Sequence, residues 1–135
     1  MRHVRYALAA AALALAACGG ASDEAATRPS AAASGERVFS QCAVCHTAAP
    51  PDQPAAKMRL IGPPLFGVVG RPAASVPGFK YSRAMQASGL VWDEATLDAF
   101  LENPHKLVPG TTMSFAGEAD AARRAALIAH LKTLK

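Results

Sequence analysis

Three side chains in one pentapeptide carry the chemistry of this sequence: Cys42, Cys45 three residues later, and His46 directly after it. Side chains at i and i+3 of a turn lie on one face. Two thiols spaced this way can each add to one vinyl group of a porphyrin as a thioether, and the neighbouring imidazole can then reach the iron from one face. C-x-x-C-H is the pattern of covalent c-type haem attachment. Other chemistries share part of it. C-x-x-C alone serves as a redox dithiol, or closes as a strained short disulfide. It also supplies half of a zinc site, but zinc takes four ligands and the sequence holds no second cysteine pair.

An iron held by His46 needs a partner on its other face. The sequence offers Met58, Met85, Met113, His105 and His130. Met113 is the best placed. Pro109-Gly110-Thr111-Thr112-Met113 is a kinked, polar stretch far along the chain, able to pass over the second haem face. A thioether there favours ferrous iron and raises the potential. A lone methionine is otherwise ordinary gap-filling core, and spacing alone does not choose between these roles.

Short helices must position these residues. Ser34 suits the cap of a first helix, with Glu36 and Arg37 in its opening turn. Gly35, Val38, Phe39 and Cys42 fall on one face, so this helix delivers the C-x-x-C-H turn. Glycine inside a helix costs about 1 kcal/mol against alanine, which points to a close helix crossing at Gly35. Residues 47–59, with three prolines, and 60–71 and 72–80, with both Gly and Pro, read as loop. Tyr81 to Ser88 reads as a short helix ending at Gly89. Asp93 and Glu94 open another helix, which Pro104 stops near Asn103. Glu118 to Leu134 is the longest helical run, with Leu127, Ile128, Leu131 and Leu134 on one face. Arg123, Arg124 and Lys132 lie elsewhere on that wheel and read as its solvated face. No segment has a strand period. The expected fold is all-α, three to five short helices with long loops wrapped around one covalently bound haem. Long loops normally argue against an assignment; a chain wrapped round a ligand accounts for them.

The bulk composition agrees. The chain has 135 residues, enough for one domain of ordinary size. Trp 1, Tyr 2 and Phe 5 are few aromatics with which to fill a core, and a porphyrin supplies the missing apolar bulk. The formal charge of +4 includes Arg2 and Arg5 near the N-terminus. Without them 12 basic residues face 10 acidic ones, too slight an excess for nucleic-acid binding but compatible with a local basic patch.

Residues 1–17 read as a signal peptide. Arg2, His3 and Arg5 precede an apolar run from Tyr6 to Ala17 that is too short for a stable membrane anchor. Leu15-Ala16-Ala17-Cys18 resembles a bacterial lipobox. That resemblance implies that Cys18 becomes a lipidated N-terminus, held durably by several acyl chains. Ordinary cleavage after Ala14-Leu15-Ala16 and a short uncleaved anchor are the alternatives. Lipidation would also account for the third cysteine, a liability if left free in an oxidising compartment. Residues 18–34 then form the lipidated Cys and a flexible tether. Its small, polar composition cannot order itself, and it reaches roughly 20–25 Å. Residues 35–135 form the folded domain. The leader at one end and a helix finishing near Lys135 argue against a domain cut from a larger oxidase subunit.

From Gly35 to Lys132 the chain resembles class I cytochrome c, of the mitochondrial type and its alphaproteobacterial relatives. GERVFSQCAVCH, GPPLFGVVGR, PGFKYS, LVW, LENPHKLVPGTTMSFAG and ALIAHLK occur in family order. The haem motif and the PGT-x-M-x-F loop are the specific ones. The resemblance implies His46 and Met113 as the iron's proximal and distal ligands. It implies that the Pro63 carbonyl accepts the proximal imidazole N–H, the bond that orients a ligating histidine. Tyr81 and Trp92 match donors to a haem propionate, Arg71 a nearby charge, and Thr111 a hydroxyl near the other propionate. Gly35 and Phe39 are implied to cross the last helix near Leu127 and His130. The chain also departs from the family. Phe100 stands where a tyrosine usually contacts the methionine sulfur, Met85 replaces a polar residue, and Gln41, Thr112 and His105 replace rim lysines, while Lys80 and Lys106 remain.

With both axial positions filled, no substrate binds iron at rest. The resemblance implies a monomeric one-electron carrier rather than an enzyme. Its expected donor is a quinol-oxidising complex and its expected acceptor a terminal haem–copper oxidase, with no nucleic acid involved. Electrons would pass at the haem edge near Cys42, Lys106 and Thr112. The expected location is the periplasm-facing surface of a bacterial membrane, lipid-anchored, or the soluble periplasm after ordinary cleavage. A peroxidase-like haem protein with labile Met113 and a gas-sensing haem module are the rivals.

Overall fold

The computed structural model describes residues 31–135. The leader, Cys18 and most of the tether lie outside the described residues. Five α-helices follow in order: α1 Ala31–Phe39, α2 Arg83–Ala87, α3 Glu94–Glu102, α4 Pro104–Leu107 and α5 Ala121–Leu131. A 3-10 turn, Pro54–Lys57, interrupts the loop between α1 and α2. Among the described residues the sole β pairing is an isolated bridge between Pro72 and Val91. The all-α expectation holds.

The helices start where the sequence supplies a cap. Ser82, Asp93, Asn103 and Asp120 each accept a backbone N–H from the first turn of α2, α3, α4 and α5, satisfying donors that a helix N-terminus leaves free. Several boundaries differ from the sequence reading: α2 is Arg83–Ala87 rather than Tyr81 to Ser88, and α5 ends at Leu131 rather than Leu134. Ser34 lies inside α1, which takes in Ala31–Ala33 from the stretch assigned to the tether; alanine is the best helix former, so these residues extend the frame. Pro104 stops α3 as expected but then occupies the first turn of α4, where a missing N–H costs nothing. α5 begins at Ala121 rather than Glu118 because Asp120 caps it, accepting from Ala122 at 2.8 Å.

α1 crosses α5, and α3 packs on both α5 and α4. Gly35 makes the crossing close: a Cβ there would drive into the backbone carbonyl of Ala126. Phe39 meets the His130 ring at a centroid distance of 5.1 Å, tilted by 49°. Val38, Phe39, Leu127, Ile128 and Leu131 are buried together, each large side chain removed from water contributing about 1.5–3 kcal/mol. Leu97, Phe100 and Leu101 extend this core along α3. Arg124 does not belong to a solvated face. It is buried at 6% exposure, because its position on α5 turns it toward α3, where Asp98 receives it at 2.8 Å.

Candidate functional site

The helical frame passes directly into the C-x-x-C-H turn. Cys42 and Ala43 donate to the Phe39 carbonyl at 2.8 and 3.0 Å, and Cys45 and His46 donate to the Cys42 carbonyl at 3.0 and 2.9 Å. Helical winding therefore continues past α1 and sets both sulfurs on one side of the turn. Both thiols are free and half-buried. Burial, then the neighbouring Cys45, pushes the Cys42 thiol above its ordinary pKa. A redox dithiol needs the opposite shift. Nor do three His, Cys, Asp or Glu side chains gather in metal-binding range among the described residues, so the pair has no partners for a zinc site.

His46 is fixed from two sides. Its Nδ1 lies 2.7 Å from the Pro63 carbonyl. That carbonyl can only accept, so the bond defines Nδ1 as the protonated nitrogen and leaves the Nε2 lone pair free. Burial, opposed by this bond, holds the imidazole below its ordinary pKa, which keeps it neutral and able to ligate. The ring lies flush on Gly62, where any Cβ would occupy the space of its atoms. The Gly62 N–H donates to the Cys45 carbonyl at 2.8 Å, and Leu65 donates to Thr47 at 2.8 Å. The ring's orientation is thus set by backbone on both flanks.

A cavity of about 280 Å³ opens beside this turn, close to the roughly 300 Å³ at which small organic ligands begin to fit. Its wall brings together every site residue named from the sequence within the described chain: Cys42, Cys45, His46, Pro63, Arg71, Tyr81, Trp92, Thr111 and Met113. Leu97, Phe100, Leu101, Leu127 and Leu131 add an apolar wall from α3 and α5. Met85 and Phe115 also line it, and Phe115, inside a quoted motif, was not singled out by spacing. The other candidate ligands, Met58, His105 and His130, are not in the wall; Met58 is 58% exposed.

The polar groups of the wall have defined roles. Arg71 donates to the carbonyls of Phe66 at 2.9 Å and Pro64 at 2.8 Å, tying the loop that follows His46. The Tyr81 hydroxyl accepts from Val76 N–H at 3.4 Å, and burial pushes its pKa up, so it remains a donor. Neither its proton nor the Trp92 indole N–H has an acceptor among the described residues. Trp92 packs on Phe100 with ring centroids 4.9 Å apart. The buried Thr111 hydroxyl accepts from Met113 N–H at 3.3 Å, which folds the loop bearing the thioether. Two thiols one turn apart, a neutral imidazole, a thioether, an apolar wall and two uncommitted donors fit a haem with carboxylate substituents.

No family model matches the chain. Cytochrome c2 of Rhodomicrobium vannielii is 52% identical over 99 residues, covering 73% of this chain and 75% of that one. Cytochrome c of Trypanosoma brucei brucei is 55% identical over 75 residues, 56% of this chain and 81% of its own. Among solved structures, cytochrome cH from Methylobacterium extorquens aligns with a TM-score of 0.67 and 41% identity, over 76% of this chain and 97% of that one.

Proposed function

The chain belongs to the class I cytochrome c family, and from that premise we propose how its residues carry a single electron at a time and between which partners. It is an electron carrier with one haem c, attached through Cys42 and Cys45. Bound haem supplies the one-electron ferric/ferrous couple. The chain's own residues hold it and set its surroundings. Cys42 and Cys45 fasten it. His46 would hold the iron through Nε2, because Pro63 holds the other nitrogen at 2.7 Å. Met113 would be the second protein ligand to the iron, and its thioether would favour the reduced state. Tyr81 and Trp92 would donate to a haem carboxylate, with Arg71 and Thr111 as further polar groups of the same wall. Leu97, Phe100 and Leu127 exclude water, which keeps the rearrangement accompanying each electron small.

The observation that carries this reading is the single cavity that gathers His46, Met113 and both cysteines. The finer proposal is a tethered shuttle: lipid on Cys18 holds the protein at the periplasmic membrane surface, between a quinol-oxidising complex and a terminal oxidase. No helix among the described residues is long and apolar enough to cross a membrane. A tether raises the effective concentration of partners, which fits the replacement of rim lysines by Gln41, Thr112 and His105. Mass spectrometry of the protein purified from its own host tests the whole reading, because haem and acyl chains add separate masses. Haem without acyl chains would refute the tether alone; neither addition would refute the carrier. In the oxidised protein a near-infrared sulfur-to-iron charge-transfer band is the expected signature of Met113.

A further inference from the structure

We propose that the Arg124–Asp98 ion pair is a positioning device for Met113, holding the exit of the loop that carries the thioether. The inference rests on the reading of Met113 as the distal ligand. Arg124 Nε donates to Asp98 Oδ1 at 2.8 Å and Nη2 to Oδ2 at 3.2 Å, a two-pronged fork. Its remaining arm, Nη1, donates to the carbonyls of Glu118 and Ala119, each at 3.0 Å. Those carbonyls belong to the backbone that leaves the Met113 loop. The same segment is pinned again by the Glu118 N–H, which donates to the Leu101 carbonyl at 2.8 Å. Asp98 and Leu101 lie three residues apart on α3, one turn of a single face.

The loop entrance is wound on from the end of α3 through α4. Asn103, directly after α3, accepts from Lys106 at 2.9 Å, Val108 donates to Pro104 at 2.9 Å, and Thr111 donates to Val108 at 3.0 Å. The thioether therefore rides on a chord wound at its entrance on α4 and fastened at its exit to the helix that walls the cavity with Leu97, Phe100 and Leu101. At the entrance the fastening is local and wound. At the exit it depends on two long-range fastenings, the Glu118 N–H on Leu101 and a guanidinium 26 residues from its carboxylate. The Asp98 side chain is 44% exposed, so the pair is not there to fill the core. A guanidinium is planar and its donors point in fixed directions. The Asp98 fork sets that plane, and the plane sets where the Glu118 and Ala119 carbonyls lie. Without Asp98 the buried arginine must seek other acceptors, and slack passes into the chord that holds the sulfur.

The test uses the oxidised haem-loaded protein and imidazole as a competing iron ligand, titrated through loss of the sulfur-to-iron band. D98N removes the charge and half the fork; imidazole should bind about tenfold tighter, the scale of a lost charge-assisted hydrogen bond. D98E, which can rebuild the fork, should return affinity to within about twofold of the wild type. V38A loosens the α1–α5 crossing instead and serves as a control for stability, read by guanidinium unfolding. It should leave imidazole affinity within about twofold. Should D98N not accumulate, R124K keeps the charge, loses the fork and should shift affinity in the same direction. Unchanged affinity in D98N, or an equal rise in V38A, overturns the proposal. A wild-type protein without the band overturns the Met113 reading and this proposal with it, which separates that failure from a failure of the clamp.

Discussion

The two sides of the cavity are built by different means. On the His46 side, winding continues from α1 through the cysteine turn, and the ring is fixed by Pro63 and Gly62 within seventeen residues of sequence. On the Met113 side, a loop is strung between the wound turn of α4 and fastenings on α3, one of which is a long-range ion pair. The wound side holds its ligand through many short, local bonds that form together. The strung side depends on a few contacts, each able to give separately, so local opening is concentrated there. The difference assigns permanence to one ligand and adjustability to the other.

The largest test removes the wound side's covalent hold. In the C42A/C45A protein, haem should be lost entirely from the denatured polypeptide, with the haem mass absent and any acyl mass on Cys18 retained. Retained covalent haem would break the comparison at its base. Next comes the strung side. M113A should abolish the sulfur-to-iron band and lower the midpoint potential by on the order of 0.2 V, part of the roughly 0.8 V that axial ligands command. Covalent haem content should be unchanged. A potential close to that of the wild type would mean that Met113 is core filling, and the two sides would then not differ as argued.

A third substitution acts within the wound side. In G35A the added Cβ meets the Ala126 carbonyl and the His130 Cβ, and a helix backbone cannot give as a flexible side chain can. Overpacking of this kind should cost about 2 kcal/mol, read by guanidinium unfolding, while the sulfur-to-iron band persists. Loss of the band at full haem content would show that the two sides are more tightly coupled than their bonding suggests.

What could be read from the sequence follows the same division. Gly35 signalled its crossing because a glycine in an otherwise good helix needs a reason, and Asp93 marked the start of α3 because its side-chain chemistry is local; Ser82, read as part of the helix, caps α2 instead. The C-x-x-C-H turn pointed to its cofactor through residue type and spacing, with a redox dithiol and a short disulfide as alternatives. The strung side was less legible. Met113 could be singled out only by the kinked loop around it and by resemblance. Arg124 was misread as solvated, because helical periodicity gives a direction and not the partner that waits there. Asp98, on another helix, carries no pattern that names Arg124 as its partner. The four-residue α4 was also missed, since Pro104 reads equally as a stop and as a start.

The smallest expected effect tests whether strain, as well as sparse bonding, marks the strung parts. Ala74 is the one non-glycine residue with positive φ among the described residues, at +56°. It sits in the loop between Arg71 and Tyr81, both in the cavity wall. Around it, Ala73 donates to Leu90 at 2.8 Å and the Ser75 hydroxyl to Pro72 at 2.7 Å, so the turn is held although its centre is strained. A left-handed conformation costs an L-residue roughly 1–2 kcal/mol, and glycine adopts it without that penalty but loses more chain entropy on folding. The balance predicts that A74G raises stability by about 1 kcal/mol, with the midpoint potential and the sulfur-to-iron band unmoved. A fall in stability would mean that neighbouring contacts already absorb the strain. A shift of the band would instead join this loop mechanically to Met113, and the strung side would have to be treated as one unit.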